Sequence, residues 1–230
     1  DGTNLNGETC TSVGFPDGGT LGCKVNCGFN YQGCSSGTMS KTGQVDTYQS
    51  DDDGDIEAGP PFSFVDNLNG TISDQNTGLI WEKLSDDSGV HDRNNGYTWT
   101  AGFTDKIDKL NNRCDQDESV VCASDADCIG VGGECGFAGY RDWRIPNRNE
   151  LSSLLDLGTT GPAMRSQFNN GCTLGCTVLS CSCGPPTPLW SSTTDHASTS
   201  AAWYINMLHG HTTSGSKGVL RAVRAVRGPD

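Results

Sequence analysis

The chain has 230 residues, of which only 33% are hydrophobic, and it carries 31 glycines and a formal net charge of -13. The acidic balance argues against nucleic acid or an anionic membrane as partner, because both bind basic surfaces. No apolar run approaches the roughly 20 residues of a membrane-spanning helix. We therefore expect a loop-rich chain with a modest core and no membrane span.

The sequence begins at Asp1, without an initiator methionine or an apolar leader. Trimming of the expressed chain explains this, and so does removal of a secretion signal. The 12 cysteines favour secretion, because an even count in a chain with a small core is typical of disulfides made in an oxidising compartment. We therefore expect an extracellular protein. The cysteines form three groups of four: Cys10, Cys23, Cys27 and Cys34; Cys114, Cys122, Cys128 and Cys135; Cys172, Cys176, Cys181 and Cys183.

Zinc is the competing interpretation of these groups, because clusters of four cysteines bind it. Their spacings contain no CxxC pair, which favours disulfides closed within each group. The connectivity inside a group stays open, since each group permits several pairings.

Residues 1–44 lack apolar periodicity, and "GETCTSVGFPDGGTLGCKVNCGFNYQGC" consists mainly of glycine, turn residues and cysteine. Such a segment buries little core and depends on covalent cross-links. We predict a Cys-rich N-terminal arm over residues 1–44 and a globular domain over residues 45–230.

An acidic stretch, "SDDDGDIEAG", precedes the first convincing strand. Asp51, Asp53, Asp55 and Glu57 alternate there, and Gly54 permits a sharp turn. Carboxylates are hard oxygen donors that suit calcium, although the stretch does not match the full twelve-residue calcium loop. A calcium site and a solvated acidic loop are both consistent with this pattern.

The elements from Phe62 onward predict an α+β domain. Short strands are expected around Phe64, at 71–73 and at 79–81, joined by Asn-Gly and Thr-Gly turns. Two helices follow. Thr98 caps the first, and Asn147 caps the second, where Glu150 completes a capping box. The first helix presents an apolar face of Trp99, Phe103, Ile107 and Leu110, and the second one of Leu151, Leu154 and Leu155. Three strand-like stretches, "PLWSST", "AAWYINML" and "GVLRAVRAVR", complete helices packed on an antiparallel sheet.

The segment "GYRDWRIPNRNEL" concentrates charge around one tryptophan. A catalytic role for its charged residues would need a nucleophile or a metal, and none accompanies them in the pattern. We predict a structural role instead: Trp143 and Ile145 enter the core, Pro146 ends the strand, and Asp142 is bound by an arginine or backbone donors. Arg144 is the arginine whose removal we expect to leave Asp142 without a partner.

Other candidate motifs have simpler structural explanations. The "GCSSG" match to a nucleophile elbow lies in a cysteine-rich loop, and Asp195–His196 beside Ser191 and Ser192 lacks triad spacing. His209 and His211, with His196, form a possible metal set, but a hairpin tip explains "HGH" more simply. The sequence Asn69-Gly70-Thr71 predicts either a glycosylation site or a hairpin turn.

Several motifs together carry a family resemblance: "FVDNLNGTISDQNTGLIWEKL", "TW", "GYRDWRIPNRNELSSLLD", "LWSST", "AWYINM" and "RAVR". Over residues 44–228 the chain resembles the domain of unknown function 1566 family, also called the Lcl C-terminal domain. The N-terminal arm resembles a four-cysteine module of bacterial surface proteins. The resemblance implies a fold like that of C-type lectins and formylglycine-generating enzymes, and roles in adhesion. Within it Asp142, Trp143, Arg144, Pro146 and Trp190 form a structural motif.

The chain departs from the family in two cysteine-rich insertions, 114–135 and 172–183. It also lacks the Glu-Pro-Asn, Gln-Pro-Asp and Trp-Asn-Asp triplets of calcium-dependent sugar binding. We predict an extracellular structural or adhesive protein of the bacterial surface, not an enzyme. Copies of the chain are expected to form a fibre through their N-terminal arms, the acidic stretch of one copy meeting the "RAVRAVR" arginines of the next. The alternative is a lectin-like module that binds surface glycans or proteins.

Overall fold

A computed structural model describes residues 7, 9, 22–23, 29–30, 40–57, 59–159 and 161–228. Most of the predicted N-terminal arm lies outside this set, including Cys10, Cys27, Cys34 and the "GCSSG" segment, and only the backbone of Cys23 is described. The strands are Gly22–Cys23 (β1), Phe29–Asn30 (β2), Phe64–Asp66 (β3), Thr71–Asp74 (β4), Ile80–Glu82 (β5), Arg113–Cys114 (β6), Asp117–Val121 (β7), Leu189–Thr194 (β8), Ala201–Asn206 (β9), His211–Ser216 (β10) and Val226–Arg227 (β11). The α-helices are Asp53–Ile56 (α1), Trp99–Ala101 (α2), Asp108–Asn112 (α3) and Arg148–Ser152 (α4).

Four antiparallel strands form the largest sheet among the described residues, in the order β11-β5-β4-β3. Its two faces are both covered, because consecutive residues of a strand point to opposite sides and both sides carry buried groups. Trp81 packs on one face with Ile72, Val226 and Phe168. Strand β5 therefore runs through the middle of the core, and the residue after Trp81 is buried against the other face.

A three-stranded antiparallel sheet in the order β10-β9-β8 packs beside the first, and the parallel bridge Leu189↔Ala222 connects it to the C-terminal segment. Trp190 of β8 is fully buried, and its Nε1 donates to the carbonyl oxygen of Tyr97 at 3.0 Å. Within the described residues, antiparallel sheets with few and short helices give the predicted α+β class.

The first predicted helix is present but irregular. Thr98 caps it by accepting a hydrogen bond from the backbone N–H of Ala101, and a π-helical segment, Gly102–Ile107, separates α2 from α3. Ile107 and Leu110 are buried as predicted, whereas Trp99 and Phe103 are only half-buried, and their rings meet edge to face at a centroid distance of 4.7 Å.

The second predicted helix, α4, has both halves of its capping box. Asn147 accepts hydrogen bonds from the backbone at Asn149 and Glu150, and the Glu150 carboxylate accepts one from the Asn147 N–H at 2.7 Å. The helix is shorter than its apolar pattern, since it ends at Ser152, but Leu151, Leu154 and Leu155 are buried. Among the described residues, no helix has the length and apolar character that crossing a membrane requires.

Candidate functional site

A buried ion pair joins the large sheet to the π-helical segment. Glu82 of β5 faces away from Trp81, and its Oε1 contacts the ammonium of Lys106, whose side chain is only 1% exposed. Lys106 also donates to the carbonyl oxygen of Val90 at 2.7 Å, and Glu82 Oε2 accepts from the backbone N–H of Ala225 at 2.8 Å. Each charge thus has a counter-charge and a further hydrogen bond, which is the arrangement that a charge needs inside a protein.

The charges around Glu82 set its ionisation. Burial by itself raises the pKa of Glu82, but the charges of Lys106 and His91 and their hydrogen bonds outweigh it, and the pKa falls to about 2. Burial lowers the pKa of Lys106, and the neighbouring Glu82 carboxylate opposes that effect. Burial and the charge of Glu82 raise the pKa of Tyr97 to about 12. The carboxylate is therefore charged at neutral pH.

Arg224 ties the same region to the second insertion. Its guanidinium is fully buried and donates to the carbonyl oxygens of Glu82 at 2.8 Å, Phe168 at 3.2 Å and Cys183 at 2.7 Å. Burial lowers the pKa of Arg224 to about 10, with the Glu82 carboxylate opposing the shift, so the group remains a cation. The end of the 172–183 insertion is thereby fixed to strand β5.

Both cysteine-rich insertions are closed by disulfides within their own groups, as predicted. Cys114–Cys128 and Cys122–Cys135 hold the first insertion, which contains the β6-β7 hairpin. Cys172–Cys183 and Cys176–Cys181 hold the second. Within the described part of the chain, the groups of potential metal ligands close enough to share an ion consist of these already bonded sulfurs.

These pairings predict the cross-linked peptides of a non-reduced digest. Mass spectrometry of the protease-treated chain should find the four linkages above and no free thiol in either insertion. Reduction should cost roughly 2–4 kcal/mol of unfolding free energy for each bridge lost. A linkage between the two insertions, or bound zinc, would contradict the assignment.

The two insertions frame a cleft of about 460 Å³, which we call the insertion cleft. Its lining comes from the β3–β4 turn, the loop after β5, α3, the first insertion and the second insertion. The lining residues are Asn69, Asp87, Val90, His91, Lys109, Leu110, Arg113, Cys114, Asp115, Gln116, Glu118, Glu134, Phe137, Ala138, Thr177, Val178 and Leu179.

His91 connects the insertion cleft to the buried ion pair. Its Nδ1 lies 2.6 Å from Glu82 Oε1, and its ring packs on Phe137 at a centroid distance of 4.2 Å. The Glu82 carboxylate accepts a hydrogen bond from Nδ1, which fixes the orientation of the ring and leaves Nε2 for another partner. No described residue pairs with Nε2, so His91 presents a fixed, oriented hydrogen-bonding group to the cleft.

Charges of both signs line the insertion cleft without neutralising one another. The carboxylates are Asp87, Asp115, Glu118 and Glu134, and the cations are Lys109 and Arg113. None of these six belongs to an ion pair among the described residues. The hydrophobic part of the cleft wall consists of Val90, Phe137 and the apolar residues of the second insertion. Such a lining suits a ligand with a charged tip and an apolar stem.

The segment around Trp143 has the predicted burial but different ion pairs. Trp143 and Ile145 are 2% and 1% exposed, whereas Arg144 is 44% exposed and forms a two-pronged pair with Glu150 at 2.7 Å. Asp142 instead pairs with Arg227 at 2.6 Å. The expected Arg144–Asp142 partnership is therefore wrong, because Glu150 accepts from both terminal nitrogens of the Arg144 guanidinium, and Arg227 of β11 reaches Asp142 instead.

The acidic stretch forms the one-turn helix α1 rather than a set of converging ligands. Asp55 accepts a hydrogen bond from the Asp51 N–H, Asp53 contacts the Thr42 hydroxyl, and Glu57 pairs with Lys41 at 2.8 Å. Asp52, at the N-cap, accepts bonds from several backbone N–H groups, which lower its pKa against a smaller opposing effect of burial. Calcium binding at Asp51, Asp53, Asp55 and Glu57 stays a prediction.

The histidine set does not converge. His209 and His211 stand at the β9–β10 hairpin tip with their rings 6.1 Å apart, as expected for a turn, but His196 lies before β9, at its other end. A six-residue strand separates the two ends by about 20 Å. Asn69 is exposed in the β3–β4 turn and accepts a hydrogen bond from Thr71 at 2.7 Å, and its glycosylation stays a prediction.

The terminal arginines already contact other groups of their own chain. Arg224 is buried, Arg221 lies over the ring of Tyr204 at 3.5 Å, and Arg227 pairs with Asp142. The expected contact between the acidic stretch of one copy and an arginine-bearing "RAVRAVR" face therefore fails for Arg224, the central arginine of that segment.

The ion pair and the cleft were not predicted from the sequence. One signal was available: Lys106 falls on the apolar stripe of the predicted helix, between Phe103 and Leu110. A lysine at such a position needs a buried counter-charge, and Glu82 directly follows the buried Trp81 in a short strand.

A family model, the Lcl C-terminal domain, matches residues 70–227, which starts later than the predicted resemblance but contains the ion pair, both insertions and the Trp143 segment. No curated protein matches the chain. Since the family match covers well over half of the sequence, the chain belongs to the Lcl C-terminal domain family.

Proposed function

We propose that this protein is an extracellular structural subunit of the bacterial surface that assembles with copies of itself into a filament. Its domain takes a C-type-lectin-like form, and the arm over residues 1–44 docks head-to-tail on the next copy. A head-to-tail contact that does not close into a ring produces an open filament. The disulfides of the two insertions support an oxidising, extracellular setting.

This proposal rests on solvent-exposed apolar side chains in both insertions. Ile129 and Val121 of the first insertion are 78% and 64% exposed, and Leu174 and Leu179 of the second are 92% and 65% exposed. Single exposed apolar residues are ordinary, but here each disulfide-closed loop presents two of them, and Leu179 also lines the cleft. A rigid loop loses little entropy on docking, so these residues suit a lasting protein–protein contact.

Association of the full chain tests the proposal. Light scattering over a concentration series should show growth to large species, because the exposed side chains gain burial between copies. The double variant Ile129→Asp/Leu174→Asp should shift growth to at least about tenfold higher concentration, since each buried leucine-sized side chain contributes roughly 1.5–3 kcal/mol.

Leu208→Asp is the matched control, since Leu208 is 52% exposed at the β9–β10 tip and lies outside both insertions. A wild-type chain that stays monomeric at every concentration would overturn self-assembly. If the insertion double variant assembles like the wild type, the insertions do not take part in the contact between copies.

A lectin-like binding module is the second candidate, and the insertion cleft is the observation that favours it. Its volume falls within the ~300–1,000 Å³ typical of small-molecule sites, and His91 offers an oriented hydrogen-bonding atom. A monomeric chain that binds a glycan, with affinity lost in His91→Ala, would favour this function over the filament.

A further inference from the structure

We infer that the insertion cleft receives the segment around Lys24 from the arm of a second copy, with the Lys24 ammonium placed among the cleft carboxylates. This inference rests on the proposed self-assembly and identifies its receiving surface. Three features support it: the charge of the cleft, its apolar surroundings, and the composition of the arm.

The cleft carries an excess of negative charge that no described residue neutralises. Its four carboxylates face two cations, Lys109 and Arg113, which gives these six side chains a net charge of -2. Glu134 is exposed, and its carboxylate accepts no hydrogen bond from a described residue. An ammonium group that enters this space gains carboxylate partners without breaking an existing pair.

Apolar surface surrounds these charges. Phe137 and Val90 form part of the wall, and Val178 and Leu179 contribute the side of the second insertion. A lysine side chain has a four-carbon stem that packs on such surface while its tip reaches the charged groups. The cleft volume of about 460 Å³ leaves room for side chains that neighbour the lysine.

The arm offers one matching segment. Between Gly18 and Ser40 the sequence contains a single charged residue, Lys24, and no carboxylate. Leu21, Val25 and Phe29 lie close to it in sequence. The segment thus combines one positive charge with apolar residues, the complement of a cleft that combines excess negative charge with apolar walls.

Charge reversal on both sides of the contact tests the inference in the full chain. Lys24→Glu and Glu134→Lys should each raise the concentration needed for assembly by about tenfold or more, because each places like charges together. An equimolar mixture of the two variants should recover assembly, since the charge-reversed arm of one copy then meets the charge-reversed cleft of the other. Lys24→Arg should assemble like the wild type.

Asp46→Lys controls for the change in net charge, because Asp46 is exposed and lies outside the cleft. Thermal unfolding of every variant checks that the fold is kept. If both charge-reversal variants form filaments like the wild type, the cleft is excluded as the receiving site, and self-assembly itself still holds. If the wild type does not assemble, the proposed function itself fails. Reversals that alter stability in a monomeric chain would assign Lys24 to the cleft of its own chain and overturn docking between copies.

Discussion

Glu82→Gln should lower the free energy of unfolding by about 3–5 kcal/mol, which for a domain of this size is a fall in melting temperature of roughly 6–20 °C. The variant leaves the ammonium of Lys106, only 1% exposed, without a counter-charge. Lys106→Met should also destabilise the fold, but by less, because the Glu82 carboxylate keeps its contacts with His91 and with the Ala225 N–H.

The double variant Glu82→Gln/Lys106→Met distinguishes the electrostatic contribution of the ion pair to stability from the contribution of side-chain packing. Both charges are then absent, and the glutamine still accepts a hydrogen bond from Ala225, so we expect recovery of much of the loss. Glu150→Gln is the matched control, since its partner Arg144 is 44% exposed and such pairs contribute about 0–1 kcal/mol. Additive losses in the double variant would contradict a direct coupling of the two charges.

The Glu82 carboxylate also makes the free energy of unfolding depend on pH. The pKa of Glu82 lies at about 2 in the folded chain, below its ordinary value of 4.5, so its ionised form stabilises the fold above pH 4.5. This contribution disappears as the pH falls from 4.5 towards 2. Chemical unfolding across that range should show a steeper loss for the wild type than for Glu82→Gln, and equal slopes would contradict the assigned pKa.

Trp143→Ala should lower the free energy of unfolding by about 3–5 kcal/mol, the usual effect of truncating a buried aromatic side chain. The Trp143 ring packs on Phe137 at a centroid distance of 5.3 Å, and its Nε1 donates to the Phe137 carbonyl oxygen at 2.9 Å. Since Phe137 also contacts His91 and lines the cleft, the loss should extend to the shape of the cleft.

Trp143→Phe is the graded comparison. It keeps a ring in the core but removes the hydrogen bond to Phe137, so we expect a smaller loss of ~1–3 kcal/mol. Thermal and denaturant unfolding measure both variants. A Trp143→Ala chain of unchanged stability that loses assembly or ligand binding would assign this segment a functional rather than a structural role.

Local features of the fold could be predicted from the sequence. The Thr98 cap, the capping box of Asn147 and Glu150, and the "HGH" hairpin tip each depend on residues a few positions apart, where chain geometry decides the contact. The α+β class followed from the order of such elements, and the closure of disulfides within each insertion, but not their connectivity, followed from the grouping of the cysteines.

The site depends on contacts that are distant in sequence. Glu82 and Lys106 are separated by 24 positions, and Asp142 and Arg227 by 85, so their pairing is decided by how the elements pack. The cleft needs two insertions far apart in the chain, and Arg224 fixes the second of them beside strand β5. The π-helical segment was equally out of reach, because the apolar spacing of its residues is also that of a regular α-helix.

Electron microscopy of the purified full chain at rising concentration tests the central claim, self-assembly into a filament, most directly. We expect unbranched filaments of one repeating subunit at high concentration, which are shortened or absent in Lys24→Glu and restored when that variant is mixed with Glu134→Lys. Single particles of one chain's size at every concentration, for a wild type whose disulfides are intact, would contradict it.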